Sequence, residues 1–174
     1  DLRIWLTQIR VHQWLKNLLI FVPLIVSGSY TEFSKITLTF IAFLAFSSLA
    51  SSTYILNDLL DLPSDRNHSR KKNRPLASGR ISLVRGGVIM ILLFVLAFIL
   101  SNYLSFEFLF ILFCYLAITL AYSFKIKQYV GMDVVTLAIL YTVRILAGAA
   151  AIGVITSFWL FAFSVFIFLS LALV

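Results

Sequence analysis

Cysteine, histidine and charge are all scarce in this chain. One cysteine, Cys114, and two histidines, His12 and His68, occur among its 174 residues. A single thiol in the middle of an apolar segment excludes an internal disulfide and, with so few histidines, a zinc centre. Only 12% of residues are charged. The long apolar segments also lack the polar face that a soluble amphipathic helix would present.

What the chain does have is apolar bulk. Hydrophobic residues make up 61% of it, 17 residues are Phe, and the mean hydropathy is +1.03. Apolar runs approach or exceed the roughly 18–20 residues that span a bilayer core. The expected fold class is therefore all-α, a polytopic helical membrane protein, with residues 1–174 forming one membrane domain. The first apolar segment is no cleaved signal, because others follow it throughout. The chain opens on Asp1 and stops at Val174 inside an apolar run, so the expectation is a part of a longer protein.

Taken in order, residues 1–12 form an amphipathic lead-in, with Leu2, Trp5, Leu6 and Ile9 sharing an apolar face. Six spans are expected near 13–29, 36–57, 83–102, 105–123, 131–152 and from Ser157 onward. Lys16, Asn17 and Pro23 interrupt the first. A charged loop occupies 58–80, and a KIKQYVG loop follows the fourth span.

Positive charge is distributed by side. Twelve of the fourteen Lys and Arg residues fall on one face of this topology; Lys35 lies on the other and Arg144 inside the fifth span. Such bias marks the cytoplasmic face. It places the start of the chain, the 58–80 loop and the KIKQYVG loop together on the inner side, and a bacterial plasma membrane is the expected location. The net charge of +7 is thus accounted for by topology and local chemistry, and no nucleic-acid partner is expected.

The chemistry concentrates between Asn57 and Gly79, NDLLDLPSDRNHSRKKNRPLASG. Asp58, Asp61 and Asp65 are spaced i, i+3, i+7, one face of a helix, with Asn57 beside it. Carboxylates held together repel unless a cation sits between them. Oxygen donors without His or Cys favour Mg²⁺, which binds through one or two carboxylates plus substrate phosphates. Arg66, Lys71 and Arg74 follow directly and suit phosphate oxygens. Pro63 qualifies this pattern: it can end the helix near Leu62 and turn Asp65 elsewhere. The bland alternative is a solvated loop whose acids pair with its own bases.

Arg144 is the other outlier. Eleven residues past Asp133, it shares a helical face with that residue and sits roughly 16 Å deeper. A buried arginine must be paired or line a wet cavity, so it is either an anion clamp at a cavity floor or a structural pair. Lys16 and Asn17 can reach the same mouth or simply snorkel. His68 fits a hydrogen-bonding role better than ligation. Lys125 and Lys127 are topology determinants first and phosphate contacts second. Gly148, Ala149, Ala150, Ala151 and Gly153 permit close helix approach.

Read as a pattern, Asn57–Asp58, Asp61, Asp65–Arg66, His68, Lys71, Arg74–Pro75 and Gly79 give NDxxDxxxDRxHxxKxxRPLASG. This resembles the first aspartate-rich motif of the UbiA-type intramembrane prenyltransferase superfamily. RVHQWLKN with Lys16–Asn17, YSFKIKQYVGMD with Asp133, then Arg144 and Ala147–Gly148, are most similar to the decaprenyl-phosphate phosphoribosyltransferase branch. The resemblance implies a nine-helix bundle, of which this chain holds about six. It implies Mg²⁺ held by Asn57, Asp58, Asp61 and Asp65, and Asp58, Asp61 and Asp65 as catalytic residues. Lys16, Asn17, Asn57, Arg66, His68, Lys71, Arg74, Tyr122, Lys127, Asp133 and Arg144 become substrate-binding candidates. The implied reaction moves 5-phosphoribose from phosphoribosyl pyrophosphate, a water-soluble diphosphate donor, onto a polyprenyl phosphate lipid. The runner-up is prenyl transfer from a polyprenyl diphosphate to an aromatic or other lipophilic acceptor. Two departures stand out: Pro63 between the acids, and no Tyr-x-x-x-Lys after Tyr122, where lysines fall at +3 and +5. A transporter or structural subunit is the non-enzymatic alternative; no internal repeat supports the former.

Overall fold

Long apolar helices with few interruptions dominate the chain in a computed structural model, which describes residues 2–124, 131–155 and 157–173. Helix α1 (Leu2–Gln8) is followed by a 3₁₀ stretch, Val11–Phe21, which runs into α2 (Val22–Val26). Then come α3 (Phe33–Leu60), α4 (Leu62–Asn67), α5 (Leu83–Ser101), α6 (Phe106–Phe124), α7 (Met132–Ala151) and α8 (Phe158–Leu173). Among the described residues, four helices are long and apolar enough to cross a membrane, and a fifth span arises if the bent pair Leu2–Gln8 and Val11–Val26 counts as one. Helix α8 is shorter and also apolar. The chain is an integral membrane protein, and the expected spans match these helices to within a few residues.

Two departures from expectation concern the first 26 residues. The apolar residues of the lead-in do not act as one face but divide between core and surface. Ile4, Trp5 and Ile9 pack with Ile55, Leu76 and Ile81, Gln8 is buried, and of the four residues expected to share a face Leu2 and Leu6 stay exposed. The first span, in turn, is wound as 3₁₀ from Val11 to Phe21 and as α only from Val22, and the three-residue period aligns Trp14, Asn17 and Ile20. Trp14 Nε1 donates to Ser51 Oγ at 3.0 Å and Asn17 Nδ2 to Ser47 Oγ at 3.0 Å. Three residues of 3₁₀ and four of α both rise about 6 Å, so the two rungs stay level along antiparallel helices.

The core lies between α3, α6, α7 and the first span. The Phe46 ring lies tilted against Tyr115 at 4.7 Å and edge-to-face with Phe108 at 6.0 Å, and Ile20, Leu49, Leu112 and Ala147 fill the gaps. Helix α5 lies along α3, with Val88, Ile91, Leu92, Val95 and Ile99 exposed on its outer face, as expected for contact with lipid.

Gly148 fixes the closest approach. A Cβ there would overlap the carbonyl oxygen of Ile20 and lie 2.9 Å from its carbonyl carbon. Backbone cannot yield as a side chain can, so Gly148→Ala is expected to destabilise the protein by about 1–3 kcal/mol. Gly87→Ala, where an added Cβ meets nothing, is the control. Thermal unfolding in detergent checks this, and equal midpoints for the two variants would contradict the packing.

Candidate functional site

The site forms where the break after α1, the end of α3, the following loop, α6 and α7 converge. Arg10 occupies the break in a left-handed conformation, φ 54°, which costs a non-glycine residue roughly 1–2 kcal/mol. That turn bends the chain by 56°. Arg10 Nη2 then donates to Asp58 Oδ1 at 2.7 Å.

Asp58 is buried and holds three donors. Its Oδ1 also accepts from Arg74 Nη1 at 3.2 Å, and its Oδ2 from Gln8 Nε2 at 3.0 Å. Arg74 Nη1 donates in addition to Asp65 Oδ2 at 2.6 Å. A buried carboxylate needs such pairing to stay charged. One carboxylate oxygen thereby holds two guanidinium groups side by side.

Pro63 acts as its chemistry requires. Helix α3 ends at Leu60, Asp61 lies at the junction, and α4 starts afresh with Pro63 in its first turn. The three aspartates therefore do not share one face. Asn57, Asp58 and Asp61 line a cavity of about 450 Å³, whereas Asp65 is 1% exposed, bonded to Arg74 and absent from the cavity wall. Among the described residues no group of three or more His, Cys, Asp or Glu side chains is close enough for one metal ion.

The rest of the wall is polar, aromatic and cationic except for Leu137 and Leu140. Lys16 comes from the first span and Lys71 and Arg74 from the loop. Tyr54 comes from α3, Tyr115, Thr119, Tyr122 and Ser123 from α6, and Tyr141 and Arg144 from α7. Asn57 Nδ2 donates to Ser123 Oγ at 2.9 Å, joining α3 to α6. The hydroxyl of Thr119 is buried in this wall without a hydrogen-bond partner among the described residues. An unpaired buried hydroxyl on a cavity wall is a place for a polar ligand.

Arg144 grips three elements. Its Nε donates to Asn17 Oδ1 at 2.8 Å, its Nη2 to Tyr115 OH at 3.3 Å, and its Nη1 to the carbonyl of Leu140. The guanidinium also stacks 5.1 Å from the Tyr115 ring centroid and 5.6 Å from that of Tyr141. Asn17 is thus 1% exposed behind Arg144 rather than at a mouth, whereas Lys16 lines the cavity with its ammonium 6.0 Å from the Tyr141 ring.

The other candidates separate. Arg66 is exposed and away from the cavity wall. His68 is a hydrogen-bonding residue: its Nδ1 accepts the backbone N–H of Arg70 at 3.2 Å and of Lys71 at 3.4 Å, shaping the turn that presents Lys71. Lys125, Lys127 and the side chain of Asp133 lie outside the described residues. Sequence reasoning missed Gln8, Tyr54, Tyr115, Thr119 and Ser123, and took Arg10 only for topology and resemblance. A signal existed for α6: Tyr115, Thr119 and Tyr122 at i, i+4, i+7 form a polar stripe on an otherwise apolar helix. No comparable signal marked Arg10 and Gln8, whose partner is some fifty residues away.

An all-α membrane protein with a polyionic cavity sunk among its spans is the class that this fold and site define. The chain belongs to the UbiA prenyltransferase family, which it matches over residues 18–174. It is 43% identical over 169 residues to the uncharacterized protein y4nM of Sinorhizobium fredii, covering 97% of this chain and 33% of that one. It is 37% identical over 163 residues to the nodulation protein NoeC of Azorhizobium caulinodans, covering 94% and 53%. Identity is 32% over 158 residues, 87% and 49% of the two chains, with the decaprenyl-phosphate phosphoribosyltransferase of Mycolicibacterium smegmatis. The chain therefore spans between a third and about half of these curated relatives. In fold it is similar to a UbiA homolog from Archaeoglobus fulgidus bound to DMAPP and Mg²⁺, with a TM-score of 0.76, 20% identity, and coverage of 96% of this chain and 60% of that one. The family resemblance carried by the Asn57–Gly79 motif holds.

Proposed function

We propose that this chain forms the donor-binding part of a Mg²⁺-dependent membrane transferase, which moves 5-phosphoribose from phosphoribosyl pyrophosphate onto a polyprenyl phosphate and releases pyrophosphate. The observation that carries the reading is the cavity itself. Asn57, Asp58 and Asp61 line one space within the bundle together with Arg10, Lys71 and Arg74, the complement of a metal-bound diphosphate. The 32% identity to a decaprenyl-phosphate phosphoribosyltransferase supports the choice of donor.

The donor set fits magnesium. Asp61 and Asn57 line the cavity and carry oxygen donors, and Asp58 Oδ2 accepts only the Gln8 hydrogen bond among those described, so it keeps acceptor capacity. Asp61, Asp58 and Asn57 would hold the ion, which when bound screens charge building on the leaving diphosphate. In the reaction, an oxygen of the lipid phosphate forms a bond to the anomeric carbon as the bond to diphosphate breaks. Arg10, Lys71 and Arg74 hold the departing phosphates in place. Because the guanidiniums are already fixed on Asp58, little reorganisation accompanies that charge. Arg144 and Lys16, across the cavity, favour an anionic acceptor over a neutral one.

The cationic end of the bundle gathers the cavity and its loop, so the site is read as cytoplasmic, in a bacterial plasma membrane. Prenyl transfer remains a second reading, favoured by the fold similarity to a UbiA homolog bound to DMAPP. Label transfer separates the two. Inverted membrane vesicles carrying the whole protein are expected to move label from phosphoribosyl pyrophosphate into organic-extractable lipid only with Mg²⁺, while sealed right-side-out vesicles do not. Activity with a prenyl diphosphate instead, and none with any polyprenyl phosphate, would overturn the reading.

A further inference from the structure

A second, smaller pocket of about 320 Å³ lies against the first. Arg10, Asp58 and Arg74 line both spaces, so their ion-paired layer is a common wall. The far side is formed by Thr7 and His12 from the chain start and by Arg70 and Asn73 from the loop. Pro75 is its one apolar lining residue, the others being polar or charged. The volume equals that of about ten liquid waters, room for a hydrated phosphate group.

Its electrostatics call for an anion. Arg10 and Arg74 are offset by Asp58 and Asp65. Arg70 is exposed on the rim, and among the described residues its guanidinium has no ion-pair partner. Three guanidiniums therefore meet two carboxylates, with the His12 imidazole and the Thr7 hydroxyl as further hydrogen-bonding groups. Arginine forks of this kind match phosphate oxygens bidentately. The strained backbone at Arg10, φ 54°, sets that side chain on the common wall, where its guanidinium borders both spaces.

Resting on the donor reading above, we propose that this second pocket takes the phosphate monoester of a donor whose diphosphate occupies the main cavity. A ligand reaching both sides of the Arg10–Asp58–Arg74 layer must carry two separate phosphate groups on a short polar body. A sugar bearing a diphosphate at one end and a monophosphate at the other meets that requirement. A prenyl diphosphate has one charged end and an apolar tail, and leaves the second pocket without a ligand group. The pocket is thus a specificity determinant against prenyl donors.

The test uses the whole protein in nanodiscs and two probes that each carry one end of the donor: ribose 5-phosphate, and pyrophosphate with Mg²⁺. Arg70→Ala is expected to weaken ribose 5-phosphate binding and raise the KM for phosphoribosyl pyrophosphate by roughly tenfold, the size of one lost charge-assisted hydrogen bond. Pyrophosphate binding should not change. Arg70 is exposed, and among the described residues its side chain makes no hydrogen bond or ion pair, and Arg70→Lys should recover part of the loss. Phosphoribosyl transfer with unaltered ribose 5-phosphate binding in Arg70→Ala would overturn the pocket assignment alone. An equal loss for pyrophosphate would also overturn it, because the pocket would then contribute only general positive field. Displacement of ribose 5-phosphate by anionic lipid added to the nanodiscs would make this a headgroup site and sink the proposal. Saturable geranyl diphosphate binding with no ribose 5-phosphate binding to the unaltered protein would overturn the donor reading itself.

Discussion

Asp61→Asn is expected to lower Mg²⁺-dependent pyrophosphate release by about 10²–10³-fold, the range seen when one preorganised electrostatic group is removed. The substitution keeps shape and removes one negative charge. Asp61 lies at the junction of α3 and α4, half-buried on the cavity wall, so the fold should survive it. Asp58→Asn should be just as damaging to turnover, but for two reasons at once. It removes a cavity carboxylate and also loosens Arg10 and Arg74, which both donate to Asp58 Oδ1. Asp65→Asn isolates the second effect, because Asp65 contacts Arg74 without lining the cavity. It should lower turnover far less than Asp61→Asn and raise the donor KM. Pyrophosphate release measured for the three purified variants, with unfolding midpoints alongside, decides the matter. Near-normal turnover in Asp61→Asn would remove the central claim, and an Asp65→Asn defect as deep as that of Asp61→Asn would return Asp65 to the metal set.

Arg144 carries the second large effect, and the two substitutions there should differ. Arg144→Met leaves the buried Asn17 side-chain carbonyl without this donor, at about 1–3 kcal/mol for a buried group left unsatisfied, whereas the Leu140 carbonyl keeps its backbone bond within α7. A fall in the unfolding midpoint and a deep loss of activity are both expected. Arg144→Lys keeps the charge but cannot span Asn17, Tyr115 and Leu140 from one planar fork. It should retain most of the stability and lose most of the activity, since Tyr115 and Arg144 both line the cavity. Wild-type kcat/KM in Arg144→Lys would mean that only the charge matters. A fully active, merely unstable Arg144→Met would make the residue a structural pair and take it out of the site.

How far the sequence could be read depended on the range of each interaction. Hydrophobic run length sets a helix against lipid one residue at a time, so spans such as Leu83–Ser101 and Phe106–Phe124 were legible to within a residue or two. Asn57, Asp58 and Asp61 were legible for the same reason: they follow one another within about a helical turn at the end of α3. Pro63 foretold its own break, because a missing N–H and a fixed φ act on the nearest residues.

Partners across the bundle were another matter. Arg10 looked like a topology charge and Asn17 like a residue at the mouth. In the fold, Arg10 reaches Asp58, 48 residues on, and Asn17 accepts from Arg144, 127 residues on. Those pairings depend on where α1 turns at a left-handed residue, and on a first span wound to match the rise of α3. They also depend on Gly148 letting α7 close on the backbone of Ile20. Local pattern determined the class, the spans and the acidic motif, because each of these is decided by neighbours in sequence. Which carboxylate faces the cavity and which is taken up by an arginine was decided only by tertiary packing, since a buried charge takes its partner from whichever helix is brought within hydrogen-bond reach.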